Sequence, residues 1–169
     1  MTQHNVCKIY TMCMIERGDE VLLINRPDDR GFPGYIAPGG KVEFPESIVS
    51  AAIREVKEET GLTVHQLTYK GLEQFCDPNT KLRYMVFNYL VTDFSGQLLD
   101  NPPEGECVWV KKEEAHKLPM QHFFKRRFPF FFEPGTFELH FVWDSVQQKV
   151  LHEELHKFAD QGKEGALSK

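Results

Sequence analysis

Hydrophobic and polar positions change rhythm several times along the chain. Val6 to Ile15 is a run of apolar and β-favouring residues, and Val21-Leu-Leu-Ile24 follows after Glu16-Arg-Gly-Asp-Glu20. This pattern predicts a β-hairpin turning at Gly18-Asp19. Arg26 to Gly34 is rich in proline and glycine and reads as a loop, leading through Tyr35-Ile-Ala37 into Pro38-Gly39-Gly40. From about Pro45 to Thr60 the period becomes helical. Ile48, Ala52 and Val56 form an i, i+4 stripe with Val49 and Ile53 beside it, Pro45 suits a first turn, and Gly61 sits where a left-handed C-cap is wanted. On this reading the apolar stripe and the acidic face of the helix are separate surfaces.

Beyond that helix, Leu62 to Phe75 and Lys81 to Phe94 read as two strands around the turn Asp77-Pro-Asn-Thr80. The second is apolar on both faces, which predicts a central position in a sheet. Gly96 to Gly105 reads as a loop, Glu106 to Val110 as a short strand, Lys112 to Lys117 as a helical turn, and Gln121 to Phe128 as a helix. Thr136 to Trp143 alternates as a strand. Val146 to Phe158 fits either a helix or a returning strand, and a hairpin with the preceding strand is the preferred reading. The sequence predicts one domain over residues 1–158 and a polar tail over 159–169.

The 169 residues suffice for one substantial core, and the 41% apolar and 27% charged content are ordinary for a globular protein. No apolar run reaches the roughly 20 residues of a membrane helix. The start shows no secretory pattern, and Cys7, Cys13, Cys76 and Cys107 have neither zinc nor disulfide-scaffold spacing. Reduced thiols in a cytoplasmic protein are therefore expected. A net charge of −5 argues against a surface that coats nucleic acid, though not against an anionic small substrate. No stable nucleic-acid complex and no membrane association are expected.

The chemistry concentrates between Gly40 and Leu62. Glu55, Glu58 and Glu59 lie at i, i+3 and i+4, so their carboxylates project together. Like charges so placed destabilise a helix unless a cation neutralises them, and hard oxygen donors suit Mg²⁺ or Mn²⁺. The segment reads Gly40, five residues, Glu46, seven residues, then Arg54-Glu55-Val56-Lys57-Glu58-Glu59-Thr60-Gly61-Leu62. Seven fixed letters at this spacing arise by chance on the order of 10⁻⁹ times per start, which sets aside an ordinary solvated acidic helix.

This segment matches the signature of the Nudix hydrolases, and the chain resembles their MutT-like branch. Tyr35-Ile-Ala-Pro-Gly-Gly40 is similar to the family's Trp-x-x-Pro-Gly-Gly lead-in, and Glu104-Gly-Glu-Cys-Val-Trp-Val110 to its glutamate-rich loop before a strand. Leu118-Pro-Met120 and Pro134-Gly-Thr-Phe137 resemble bacterial 8-oxo-dGTP diphosphatases. The resemblance implies an α+β fold, an α/β/α sandwich with a mixed sheet between helices. It places Glu55, Glu58, Glu59 and the carbonyl of Gly39 at metal-binding positions, with Mg²⁺ or Mn²⁺ as cofactor. Glu46 and Arg54 resemble an ion pair bracing the loop, supported by Gly40 and Gly61. The general base is Glu55 as first choice, Glu104 as second and Glu106 as third. Lys41, Tyr35 and Asn88 are candidate substrate contacts, and Lys125-Arg126-Arg127 reads as a solvated helix face.

The implied activity is hydrolysis of a nucleoside triphosphate, with an oxidised purine such as 8-oxo-dGTP as the leading guess, to the monophosphate and pyrophosphate. Alternatives are removal of pyrophosphate from an RNA 5′ end, ADP-ribose cleavage, isomerisation of isoprenyl diphosphates, and a non-catalytic Nudix binding module. A homodimer is allowed by analogy with the family.

Overall fold

A computed structural model describes residues 4–160. The predicted tail therefore falls outside the described residues, apart from Ala159 and Asp160. Nine strands and three short-to-medium helices follow in the order β1 (Val6–Arg17), β2 (Glu20–Arg26), β3 (Gly34–Ile36), β4 (Gly39–Lys41), α1 (Ile48–Thr60), β5 (Thr63–Asp77), β6 (Leu82–Ser95), β7 (Glu106–Lys111), α2 (Lys112–Ala115), α3 (His122–Arg127), β8 (Thr136–Asp144) and β9 (Lys149–Phe158).

The strands form one mixed sheet in the order β3-β2-β1-β6-β5-β8-β9, with β4 on β1 and β7 on β2. β1 runs parallel to β6, and β5 parallel to β8; the other pairs are antiparallel. The doubly apolar β6 lies fourth of seven, the central place its sequence predicted. Lys149 to Phe158 returns as a strand, completing the preferred hairpin.

Because side chains alternate along a strand, β1 supplies two cores. Cys13 and Ile15 pack with Leu22, Ala52 and Val56 under α1. Met12 and Met14 pack with Leu23, Ala115 and Phe124 under α2 and α3. The sheet is thus sandwiched between helices, as expected of an α+β fold.

Helix α1 starts later than the sequence suggested. Ser47 is its N-cap, with Oγ accepting from Ser50 N at 3.0 Å, so Pro45 stays in the preceding loop. At the other end Gly61 takes φ 85°, and its N–H donates to the Lys57 carbonyl. The buried stripe is Ala51, Ala52, Val56, Glu59 and Thr60, whereas Val49 and Ile53 are exposed. The sheet meets the helix one step further round than expected, which turns 49 and 53 outward. Fully burying a side chain such as Val56 stabilises by roughly 1.5–3 kcal/mol, against about 0.2–0.5 kcal/mol for each like-charge pair. Packing therefore holds α1 despite its acidic face.

Candidate functional site

The site is built from two short pieces brought face to face. β4 pairs with β1 in the register Tyr10↔Lys41, Thr11↔Gly40 and Met12↔Gly39. That pairing holds the glycine loop against the side of α1. A Cβ added at Gly39 would fall into the Thr11 carbonyl, and one at Gly40 into the Glu55 carboxylate. A side chain at position 40 would push the Glu55 carboxylate from its place.

Glu59 lies one helical turn further along α1, and its Oε2 accepts from Gly39 N at 2.9 Å. The carboxyl groups of Glu55 and Glu59 therefore flank the Gly39-Gly40 peptide. Arg54 forms the hub beside them. Its Nε and Nη2 donate to Glu46 at 3.0 and 2.6 Å, and Nη2 also donates to the Lys41 carbonyl at 3.0 Å. Its Nη1 donates to Glu55 at 2.8 Å and Glu58 at 3.1 Å. Glu46 also accepts from Glu43 N at 2.9 Å. The bracing pair expected between Glu46 and Arg54 is thus present as a two-pronged contact.

The acidic and buried surfaces of α1 are not separate, contrary to the sequence reading. Glu59 is 9% exposed and lies within the buried stripe, while the Glu58 side chain is 57% exposed. Residues 55 and 59 fall on the border of the stripe, so packing the helix drags their carboxyl groups partly out of water. Burial pushes the Glu59 carboxyl up to about 8, reinforced by the charges of Glu55 and Glu104. Burial also raises Glu55, against the pull of Arg54. Glu46 is held down to about 2, first by the hydrogen bonds from Arg54.

Among the described residues, no group of three or more His, Cys, Asp or Glu side chains stands ready to hold an ion. Glu55 and Glu58 face Arg54, and Glu59 faces the Gly39 amide. The donor set nonetheless fits a hard divalent cation. Its members are all carboxylates and crowd one turn and a half of helix; burial first, and neighbouring carboxylates after it, raise the proton affinity of Glu55 and Glu59. Gathering an ion requires Glu55 and Glu58 to turn from Arg54, a side-chain rotation and no change of fold.

The remaining sequence candidates divide. Lys41 is exposed on β4, one residue beyond the glycine pair. Glu104 lies on the loop before β7, with Arg26 Nη2 3.5 Å from its carboxylate. Glu106 is exposed at the start of β7. Tyr35, by contrast, packs on the core beneath α3, its N–H donating to the Pro119 carbonyl at 3.1 Å. Asn88 is fully buried; its Nδ2 donates to the Val86 and Gly71 carbonyls, and its Oδ1 accepts from Arg127 at 3.0 Å. That leaves its amide no donor for a substrate.

The basic triplet is not a solvated face. Arg127 is 3% exposed and ion-paired to buried Glu73 at 2.5 Å, and Arg126 donates to Glu153 at 2.7 Å. Only Lys125 of the three is exposed. The sequence reading also passed over Arg26, grouped with a loop although it closes β2. Its Nη2 donates to the Arg30 carbonyl at 3.1 Å, its buried Nε has no partner, and its charge acts on Glu59. An arginine directly after Val21-Leu-Leu-Ile-Asn25 was the available signal.

All four cysteines are unbridged. Burial first, and the charge of Glu59 second, push the Cys13 thiol up to about 12 and Cys107 to about 11, so neither offers a nucleophilic thiolate at neutral pH. No helix among the described residues is long and apolar enough to cross a membrane.

Comparison with known proteins agrees with this geometry. The NUDIX domain family matches residues 8–131. The Nudix hydrolase YvcI of Bacillus subtilis is 33% identical over 113 residues, covering 65% of this chain and 70% of YvcI. The NAD-capped RNA hydrolase NudC of Pseudomonas aeruginosa is 34% identical over 110 residues, covering 64% of this chain but only 37% of NudC. The crystal structure of a mutator MutT protein from Bacillus halodurans superposes with a TM-score of 0.76 at 32% identity, covering 88% of this chain and 97% of that one. Members of this family generally use divalent metal ions. With the glycine loop, the carboxylate helix and the Arg54 brace all in place on a MutT-like sheet, the chain belongs to the NUDIX family of hydrolases.

Proposed function

We propose that the protein hydrolyses a nucleoside triphosphate to the monophosphate and pyrophosphate, with Mg²⁺ or, failing that, Mn²⁺ as cofactor. One observation carries the reading: the Glu55 and Glu59 carboxyl groups flank the Gly39-Gly40 peptide, with Glu58 one turn away. Glu55, Glu58, Glu59 and the Gly39 carbonyl would hold the ion, which supplies charge neutralisation for the phosphates and acidifies a water.

The chain's own residues do the rest. Arg54 fixes the loop to the helix through Glu46 and Lys41, so the donors meet the substrate in one geometry. Glu55 is the preferred general base, because burial raises its affinity for a proton above that of an ordinary carboxylate. Glu104 is the second choice, and its partner Arg26 offers positive charge close to the carboxylates. Lys41 contributes an exposed ammonium at the mouth.

A nucleoside triphosphate is preferred to an RNA 5′ end. Phosphate-tracking proteins need several free basic side chains, and burial of Arg127 and pairing of Arg126 dismantle the patch that favoured RNA. The relative acting on NAD-capped RNA keeps that substrate in the test panel.

The deciding experiment incubates the protein with Mg²⁺ or Mn²⁺ and nucleoside triphosphates, 8-oxo-dGTP, ADP-ribose and triphosphorylated RNA. Pyrophosphate release from a triphosphate, abolished by EDTA, is expected. A protein that cleaves none of these compounds would leave the binding-module reading in its place.

A further inference from the structure

The two edges of the sheet are unlike. At one end β3 is three residues long, and the segment after α2 covers it. Tyr35 N–H donates to the Pro119 carbonyl there, and Tyr35 bridges to Met120. At the other end β9 runs for ten residues, and among the described residues no strand pairs with its outer side. All of β9 except Leu155 is exposed, including Val150, Leu151 and Phe158. A long edge of free N–H and C=O groups is a template for another strand.

The order of charges along β9 selects that strand. Two copies joining β9 to β9 antiparallel are related by a two-fold axis normal to the sheet, so like faces stay on the same side. Side chains alternate between faces, so the axis passes through a residue and not between two. Centring on Glu153 or Glu154 sets a glutamate against itself, and centring on Lys157 a lysine. Centring on His152 or His156 brings no carboxylate opposite a basic side chain. Leu151 as centre pairs Lys149 with Glu153 but leaves the other face without a charge pair. Leu155 as centre sets Glu153 opposite Lys157 on one face and Glu154 opposite His156 on the other.

That register also extends contacts each chain already makes. Glu153 accepts from Arg126 at 2.7 Å, and Lys157 donates to Glu133 at 2.7 Å. Arg126 and Glu153 of one copy, then Lys157 and Glu133 of the second, alternate in sign across the axis. On the opposite face Glu154 stands 3.9 Å from His156 and 3.8 Å from His152 within its own chain. Phe158, half in water, comes opposite His152 of the second copy.

We propose that two copies of this chain dimerise by pairing β9 with β9 antiparallel about Leu155, over residues 152–158 of each. The two sheets become one. β9 lies four strands from β1 in the sheet order, so both Gly39-Gly40 loops stay clear of the contact. An edge contact of this length buries little area, so a Kd on the order of 10 μM is expected.

The test is sedimentation equilibrium of the full chain from about 1 to 200 μM, a range that brackets that Kd. Glu153→Lys and Lys157→Glu each set like charges opposite one another twice, and each should raise Kd at least about tenfold. An equimolar mixture of these two variants has opposite charges at both contacts, and its heterodimer should return to within about threefold of the natural Kd. Each variant also loses a contact to Arg126 or Glu133, a loss that mixing does not repair. Recovery therefore reports the pairing and not the fold, which thermal melting checks separately. Lys149→Glu, outside the paired stretch, should stay within about twofold of the natural chain. A chain that is monomeric throughout the range, its edge left to some other occupant, overturns the proposal. So does a dimer indifferent to Glu153→Lys and Lys157→Glu, a mixture that stays dissociated, or a Lys149→Glu effect as large as that of Lys157→Glu.

Discussion

Arg54 and Arg127 each gather several polar partners, yet they belong to different kinds of structure. Arg54 reaches Glu46, Glu55, Glu58 and the Lys41 carbonyl, all within 13 residues along the chain, and its side chain remains 27% exposed. Arg127 reaches Asn88, Glu73 and Met12 across separations of 39, 54 and 115 residues, and its side chain is 4% exposed. An exposed hub costs little to rearrange, since its carboxylates can turn to water or to a cation. A buried hub leaves an uncompensated charge in a dry interior if one partner goes. The first arrangement suits a site that must open for a ligand, and the second a permanent core.

Four experiments sharpen or break this contrast. Glu58→Gln removes a candidate metal donor from the exposed hub. Turnover should fall on the order of 10³-fold, about 4 kcal/mol of barrier, while the melting temperature stays put because Glu58 is largely in water. Hydrolysis at the natural rate would refute the role given to that carboxylate.

Arg127→Ala should destabilise the fold by about 3–5 kcal/mol in urea titrations, because Glu73 loses its ion-pair partner while buried. Replacing the pair together, Arg127→Met with Glu73→Leu, should recover most of that loss. A single variant as stable as the natural chain would show that the pair is not a core element.

Arg54→Ala should lower metal affinity or turnover by about 10–100-fold through the loosened loop. Its effect on folding stability should stay below about 1 kcal/mol, because the pairs are partly exposed. Isothermal titration with Mn²⁺ and equilibrium unfolding separate the two numbers.

The fourth test is a pH slope in the metal-free protein. Glu59 is raised to about 8, so the folded chain binds its proton more tightly than the unfolded chain does. Stability should therefore decline as pH rises from about 4.5, where free carboxyls ionise, up to about 8, by at most about 1.4 kcal/mol per pH unit. Glu46, lowered to about 2, acts in reverse; its contribution is present above about 4.5 and is lost as pH falls toward 2. Urea midpoints across pH in EDTA should show both limbs. Glu59→Gln should flatten the alkaline limb, and an unchanged slope in that variant would remove Glu59 as its cause.

Much of the carboxylate segment could be read from spacing alone. An α-helix places i, i+3 and i+4 side by side, so Glu55, Glu58 and Glu59 share one stretch of α1, though in the folded chain Glu55 and Glu58 face Arg54 and Glu59 faces the Gly39 amide. Glycine at 61 ends the helix through its own backbone freedom, and the seven residues between Glu46 and Arg54 are few enough for loop and helix to pair. Strand β6 was legible as central because both its faces are apolar. For Val146 to Phe158 the sequence fitted either a helix or a strand, and the preferred hairpin of β8 and β9 formed.

Tertiary packing alone decided which faces would be covered. It turned Val49 and Ile53 outward, drew Ala51 and Glu59 inward, and gave the Glu59 carboxyl its raised proton affinity. It took Arg127 and Asn88 out of reach of any ligand. Local geometry is fixed by bonds and hydrogen-bond period, so nearby residues reveal it. Burial depends on register between strands far apart in the chain, and that register exists only once the sheet has assembled.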